Sequence, residues 1–241
     1  MKENSIYQVS TLQALVLGYT RPVITVEELL EHGDTGLGTF EGVGGEMIVV
    51  DGHCYCAAND GSVTESAPET GVPFAAVTKM KEGREIDLEN IADIEKLKTK
   101  LDVAIEEDFG LNSMHIVKIS GSFKKVSARS EAEYKSHHVS LKEILSKSQK
   151  DFFFNDIKGT LVCVYYPDYM DSINAKGWHL HFVSDDRSCG GHVFDVCVDK
   201  SKAVINKISS LNIQLPTEPV FDTYSLKSAS NDEIKEVEQG K

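Results

Sequence analysis

The feature of the sequence that most constrains its fold is the segment GWHLHFVSDDRSCGGHVFDV, residues 177–196. Two runs of strand character flank a polar loop with two glycines, and this pattern predicts a pair of antiparallel strands. His179 and His181 are two residues apart, so a strand places both imidazoles on one face. Leu180 and Phe182 then point to the opposite face, into the core.

His192 begins the second strand of this pair, within reach of the first two histidines. Three neutral imidazoles around one point form a ligand set for a divalent transition metal, most often zinc. Three protein ligands leave coordination positions open, which is typical of a catalytic metal. A solvated polar face without a metal is one alternative. A structural zinc site of mixed ligands is another, because Asp185, Asp186 and Cys189 lie between the histidines and Cys197 follows them.

The remaining cysteines and histidines have less specific interpretations. Cys54 and Cys56 are expected to pack as small apolar residues in a strand. The other five histidines are expected at the surface or in turns: His32, His53, His115, His137 and His138.

The charge balance restricts the partners of the chain. Its 241 residues include 38 acidic and 25 basic ones, a formal net charge of −13, and no basic stripe, so nucleic-acid binding is not expected. An acidic surface repels anions, and an anionic substrate therefore needs a local basic pocket. Hydrophobic residues make up 41% of the chain, which is enough for a buried core.

The cysteine count and the N-terminus favour a cytoplasmic protein. Five cysteines show no disulfide framework, and the reducing cytosol is the simplest compartment for them. Residues 1–20 lack the long apolar core of a signal peptide. No run approaches the roughly 18 apolar residues of a membrane span, so no membrane partner is expected.

Local patterns predict an α+β fold dominated by mostly antiparallel strands, with a few short helices. Residues 25–33 contain a capping box of Thr25 and Glu28 before a helix that ends at a glycine. Residues 139–152 contain a second capping box, and residues 87–105 have helical periodicity. The C-terminal residues 230–239 can form a short helix.

Most other segments predict strands and turns. Residues 6–18 are interpreted as a strand that ends in a turn at Gly18. Asp51 and Gly52 form the turn signal of a β-hairpin. Residues 115–129 are interpreted as strands interrupted at Gly121.

Several of these segments together resemble the alpha-acetolactate decarboxylase family. The resemblance covers nearly the whole chain, in the family's order and spacing, and G-x-H-x-H…GGH is its most specific part. The other matching segments are IYQVSTLQALVLGYT, GLGTFEGVGGEMIVVDGHCYCAANDGSV, PFAAVTKM and GSFKKVSARS.

The resemblance implies one domain over residues 1–241, with two β-rich halves and a homodimeric assembly. The halves would cover about 1–125 and about 126–241, with mostly antiparallel or mixed sheets. The second half would carry a zinc ion on its strands, held by His179, His181 and His192.

The resemblance also implies decarboxylation of 2-acetolactate to acetoin, a reaction of acetoin and butanediol biosynthesis. Zinc would chelate the ketone and hydroxyl oxygens as a Lewis acid, and Arg129 would hold the carboxylate with its guanidinium fork. Glu46 or the C-terminal Glu238 would protonate the enolate, and the sequence does not decide between them. Thr39 would orient a carboxylate or water. Four lysines near Arg129 in sequence could add positive charge: Lys118, Lys124, Lys125 and Lys135.

Two functions of other classes stay open. One is a metal-containing β-module that binds a small molecule without chemistry, and the other is a lyase, hydrolase or aldolase that acts on another keto acid. No phosphate loop, nucleotide fingerprint or Ser-His-Asp signature is evident, so no organic cofactor is expected.

The tail allows a test of the resemblance. Glu238→Gln keeps the size and polarity of the side chain but removes its carboxylic proton and its charge. If Glu238 folds back over the metal, the variant should stay folded and zinc-loaded but form much less acetoin, or acetoin of altered handedness. Normal turnover and handedness in a chain that ends after Lys235 would instead make Glu238 a solvated tail residue. Glu233 and Glu236 are the neighbouring alternatives.

Overall fold

Two β-sheets packed against each other form most of the protein. The computed structural model describes residues 4–135 and 138–226, so His137, Glu238 and the helix expected over 230–239 lie outside the described residues. The strands are β1 (Ser5–Val9), β2 (Ile24–Thr25), β3 (Thr35–Thr39), β4 (Glu46–Val50), β5 (His53–Ala57), β6 (Val63–Glu65), β7 (Gly71–Val72), β8 (Phe74–Thr78), β9 (Arg84–Ile91), β10 (Met114–Ser130), β11 (Lys150–Tyr166), β12 (Gly177–Ser184), β13 (Gly190–Ile208) and β14 (Ser210–Gln214). The helices are α1 (Leu12–Val16), α2 (Val26–His32), α3 (Ile94–Glu107) and α4 (Leu141–Ser148), with 3-10 turns at Glu41–Val43, Asp168–Met170 and Pro219–Thr223.

The first sheet has seven strands in the order β14-β1-β8-β3-β4-β5-β6. Its β1–β14 pair is parallel, and its other pairs are antiparallel. The second sheet contains β9 to β13, all paired antiparallel, and β10 and β12 each pair with both β11 and β13. The predicted α+β class with a dominance of antiparallel strands is confirmed.

The chain passes from the first sheet to the second between β8 and β9, and β14 returns to the first sheet. The division expected near residue 125 therefore falls inside β10, which continues from one side of that position to the other. Sequence patterns do not show this arrangement, because the pairing of β10 with β11 and β13 is long-range.

The second sheet separates an apolar face from the face that carries the histidines. Leu180 and Phe182 pack in one cluster with Leu97 of α3, on the outer side of the sheet. His179 and His181 point the other way, as the alternation along β12 predicts. The core under α3 thus fixes which face of β12 the imidazoles occupy.

The local signals at helix and hairpin ends agree with the structure. Thr25 and Glu28 form both hydrogen bonds of a capping box at the start of α2. The Ser140 side chain accepts a hydrogen bond from the Glu143 backbone N–H at the start of α4. Residues 51–52 form the turn between β4 and β5.

Three sequence interpretations were wrong. Residues 6–18 are not one strand, because β1 ends at Val9 and Thr11 caps the short helix α1. Residues 87–91 are not helical, because they pair with β13 as part of β9, and α3 begins after them. Gly121 does not interrupt a strand, since β10 is continuous through it.

No helix within the described ranges has the length and apolar character needed to cross a membrane.

His115 corrects the expectation that the histidines outside the cluster lie at the surface. Its side chain is buried, with Nδ1 3.0 Å from the Ser113 carbonyl oxygen. Burial lowers the pKa of His115 to about 4. His32, His53 and His138 are exposed, as expected.

The buried His115 predicts a pH dependence of stability. Its folded pKa lies below the unfolded value of about 6.5, so the unfolded state takes up the proton first as the pH falls. The stability that the buried, neutral His115 ring contributes is fully present above about pH 6.5, and it is lost as the pH falls from about 6.5 to 4. Between pH 7 and pH 5, wild type should lose about 2 kcal/mol more unfolding free energy than His115→Asn in urea titrations. The control His32→Asn changes an exposed histidine, and it should lose as much unfolding free energy as wild type over the same pH range. A loss in His115→Asn equal to that of wild type would contradict the assignment.

Candidate active site

Three neighbouring strands of the second sheet assemble the site. His181 on β12 lies opposite His192 on β13, and His192 lies opposite Arg129 on β10. Side chains directly opposite each other on antiparallel strands share one face of the sheet. His179 shares this face because it is two residues from His181. Strand register therefore gathers an arginine and three histidines.

The ring nitrogens of the three histidines converge. His179 Nε2 lies 3.0 Å from His181 Nε2 and 3.1 Å from His192 Nδ1. All three rings are buried, and their ligand atoms lie within 4.8 Å of one another, so the group could hold a metal ion. Asp186 is instead used in the loop, where Oδ1 accepts hydrogen bonds from Ser184 and Ser188.

The orientation of His181 is set from the first sheet. His181 Nδ1 lies 2.8 Å from the backbone carbonyl oxygen of Met47 on β4. A carbonyl oxygen only accepts hydrogen bonds, so Nδ1 donates and carries the ring proton. Nε2 then carries the lone pair and faces the other two histidines. Metal-binding histidines commonly donate their other ring N–H in this way, and that hydrogen bond decides which nitrogen can bind the metal.

The buried imidazoles are in the form that binds metal. Burial lowers the pKa of His179 to about 3, and the positive charge of Arg129 acts in the same direction. Burial also holds the pKa of His181 well below its ordinary value, with smaller contributions from His179 and Arg129. The neutral rings of His179 and His181 offer lone pairs near pH 7, as metal binding requires.

Glu46 faces the same point from β4. Its Oε2 lies 3.3 Å from His181 Nε2, and its Oε1 lies 4.0 Å from His192 Nδ1. Three imidazole nitrogens with a nearby carboxylate are a donor set that fits zinc. Arg129 lies beside this set, with Nη2 3.4 Å from His192 Nε2, and its side chain is also buried.

Thr39 holds the backbone that leads into Glu46. The two residues lie opposite each other on β3 and β4, and the Thr39 hydroxyl donates a hydrogen bond of 2.9 Å to the Gly45 carbonyl. Gly45 has φ +101°, and a Cβ there would come within 2.8 Å of the Ala57 carbonyl oxygen. The turn therefore requires glycine and delivers Glu46 at a defined position.

A pocket opens beside the histidines. It encloses about 420 Å³ of empty space, including its open mouth. Arg129, His179, His192, Glu46 and Thr39 form its polar wall. Its apolar wall comes from α1, α4, β8 and the 3-10 turn at Glu41–Val43, and it consists of Leu15, Val43, Phe74, Leu141 and Leu145.

Sequence analysis missed the apolar wall and Glu131, a buried residue that also lines the pocket. The available signal for Glu131 was its spacing of two residues from Arg129, which places both on one side of an extended chain.

The lysines near Arg129 in sequence do not add positive charge to the pocket. Lys118, Lys124 and Lys125 pair with aspartates elsewhere, and Lys135 is exposed. Arg129 is the single Lys or Arg side chain among the described residues that line the pocket.

The fold and the site together define an α+β protein with a buried histidine cluster that could hold a metal ion, beside a pocket. A sequence profile described as Alpha-acetolactate decarboxylase matches residues 6–228. The chain therefore belongs to the alpha-acetolactate decarboxylase family, and it is an enzyme of the carboxy-lyase class.

Individual relatives are similar over almost the full length. The alpha-acetolactate decarboxylase of Methanosarcina mazei is 36% identical over 234 residues, which cover 97% of this chain and 80% of that protein. The one from Brevibacillus brevis is 33% identical, with 98% and 81% covered. The crystal structure of alpha-acetolactate decarboxylase from Bacillus subtilis strain 168 is 29% identical and covers 97% of this chain and 99% of that one, with a TM-score of 0.91.

Metal binding should depend on the three histidines. Replacing His181 by Ala removes a ligand nitrogen and the contact with Met47, so affinity for Zn²⁺ should fall by on the order of 100-fold or more. Metal content after dialysis and competition with a chromophoric chelator measure this directly. His115→Ala removes a buried histidine outside the cluster and should keep about one metal per chain. Full metal content in the triple variant of His179, His181 and His192 would contradict the assignment.

Proposed function

We propose that this chain decarboxylates 2-acetolactate to acetoin with a zinc ion held by His179, His181 and His192. The observation that carries the proposal is the convergence of three ring nitrogens beside a buried arginine, at one end of a small pocket. Family membership supports the reaction, and the donor set supports the metal. Zinc, when bound, supplies a Lewis acid for the negative charge that develops on the ketone oxygen.

Arg129 binds the substrate carboxylate in this proposal. Its guanidinium offers two parallel N–H groups, which match the two oxygens of a carboxylate. Its burial excludes water, so the ion pair is stronger than one at the surface. In a chain with a formal net charge of −13, this buried cation supplies the local positive charge that an anionic substrate needs.

The reaction breaks the bond between the carboxylate carbon and the carbon that bears the hydroxyl group. The two electrons of that bond move toward the neighbouring ketone, CO₂ leaves, and the enolate then takes one proton on the same carbon. A carboxylic acid in the pocket can deliver this proton. Our first candidate for this role is Glu46, which lines the pocket, and Glu238 is the second candidate. Thr39 donates a hydrogen bond to the Gly45 carbonyl and so holds the turn before Glu46.

We also propose a cytoplasmic homodimer. Five free cysteines suit a reducing compartment. The outer edge of β11 over residues 150–157 has no strand partner within the described residues, and the side chain of Phe153 on it is exposed. Exposed apolar edges of this kind favour association. Light scattering of the purified protein measures the assembly.

One experiment tests the function as a whole. The purified protein is analysed for metal and assayed for acetoin formation from 2-acetolactate, before and after treatment with a chelator and after Zn²⁺ is restored. Turnover that is lost and regained with the metal supports the proposal. Substrate binding without acetoin formation would favour a binding module, and turnover of a different keto acid alone would favour another lyase.

The role of Arg129 predicts the effect of a conservative change. Arg129→Lys keeps the charge but loses the paired N–H groups, so kcat/KM for 2-acetolactate should fall about 10-fold or more. The control Arg84→Lys changes an arginine that pairs with Glu107 and Asp108 at the end of α3, and its kinetics should match wild type. Wild-type kinetics in Arg129→Ala would remove Arg129 from the carboxylate-binding role.

A further inference from the structure

Glu131 is a second buried carboxyl group in the pocket, and the proposed reaction gives it no task. Its side chain is 2% exposed and lines the pocket together with Arg129, Glu46, His179 and His192. It follows the last residue of β10, two residues after Arg129. The Glu131 side chain is therefore part of the pocket wall and does not lie on the protein surface.

The backbone around Glu131 is held in place from the first sheet. The Ser130 hydroxyl donates a hydrogen bond of 2.6 Å to the carbonyl oxygen of Ala57 on β5, and Ser130 is fully buried. Because successive side chains of an extended chain alternate, this anchor holds Arg129 and Glu131 on the other side. The negative charges of Glu46 and Glu131 both contribute to raising the pKa of Cys56 to about 12, after burial. The two glutamates also line the same pocket.

The formal charges of the pocket define what it accepts. Among the described residues that line the pocket, Arg129 is the one Lys or Arg side chain, and in the proposed reaction it binds one carboxylate. Glu131 adds a carboxyl group that the proton transfer does not use. A second carboxylate on the substrate would find no further Lys or Arg among the described lining residues, and it would face Glu46, Glu131 or the apolar wall. Like charges at short range in a water-poor site repel strongly.

We propose that Glu131 is a specificity-determining residue, which restricts the pocket to monocarboxylic 2-hydroxy-3-oxo acids and rejects dicarboxylic ones. This inference rests on the proposed function for the identity of the substrate. It assigns Glu131 an electrostatic role in selection, separate from the binding of the carboxylate by Arg129.

The test compares two ligands of matched shape that cannot lose CO₂ by the proposed route. 2-Hydroxy-2-methylbutanoate carries one carboxylate, and 2-hydroxy-2-methylbutanedioate carries two. Their dissociation constants are measured by calorimetry on the zinc-loaded protein, so the result does not depend on turnover. In Glu131→Gln the preference for the monoanion over the dianion should fall by about tenfold or more, because one negative charge has been removed at constant size.

Two variants control the experiment. Glu133→Gln removes the same charge from an exposed residue two positions further on, and Glu131→Asp keeps the charge; both should keep the wild-type preference. If Glu131→Gln is not folded by circular dichroism, Glu131→Met supplies a neutral side chain of similar size. An unchanged preference in a folded neutral variant, or an equal change for both ligands, would overturn the proposal. Failure of wild type to decarboxylate 2-acetolactate would overturn the proposed function instead, because the binding preference is measured separately.

Discussion

The hydrogen bond between His181 Nδ1 and the Met47 carbonyl joins the two sheets at the centre of the site. It links a side chain of the second sheet to the backbone of the first, and it fixes the proton on the nitrogen that faces away from the other histidines. Glu46 directly precedes Met47 on β4, and its carboxylate lies near the same histidine cluster. The position of one sheet on the other thus sets both the ligand nitrogen and the nearest carboxylate.

Burial gives this site its chemical character. Removing imidazoles from water disfavours their charged forms, which is why the pKa of His179 falls to about 3. The same low-polarity surroundings strengthen the attraction of Arg129 for an anion and the repulsion between carboxylates. An acidic protein can therefore contain a site suited to an acidic molecule, because the charges inside the pocket act at short range while those outside are screened by solvent.

Sequence reasoning succeeded where the physical cause is local. The common face of His179 and His181, the cap of α2 by Thr25 and the turn at residues 51–52 all depend on neighbours within a few positions. It failed where distant pairing decides, as in β9, whose residues 87–91 have helical periodicity but pair with β13. The Arg129–His192 register is of the same kind, because it depends on long-range pairing. The spacing of Glu131 from Arg129 indicates that both lie on one side of the chain, but it does not show that Glu131 is buried. The family resemblance supplied Arg129 and Glu46, and the prediction for Glu238 stays a prediction.

The contact of 3.4 Å between Arg129 and His192 determines which nitrogen of the His192 ring carries the proton. A neutral imidazole has one N–H, and a guanidinium can only donate. When His192 accepts from Arg129 at Nε2, its proton resides on Nδ1, and that nitrogen has no lone pair for a metal. When Nδ1 binds a metal, Nε2 carries the proton and can no longer accept from the arginine. The two protonation states of this ring exclude each other, so a metal held at Nδ1 would remove this one acceptor of the Arg129 guanidinium. The tautomer of His192 would in this way link metal binding to the hydrogen bonding of the arginine that is proposed to receive the substrate.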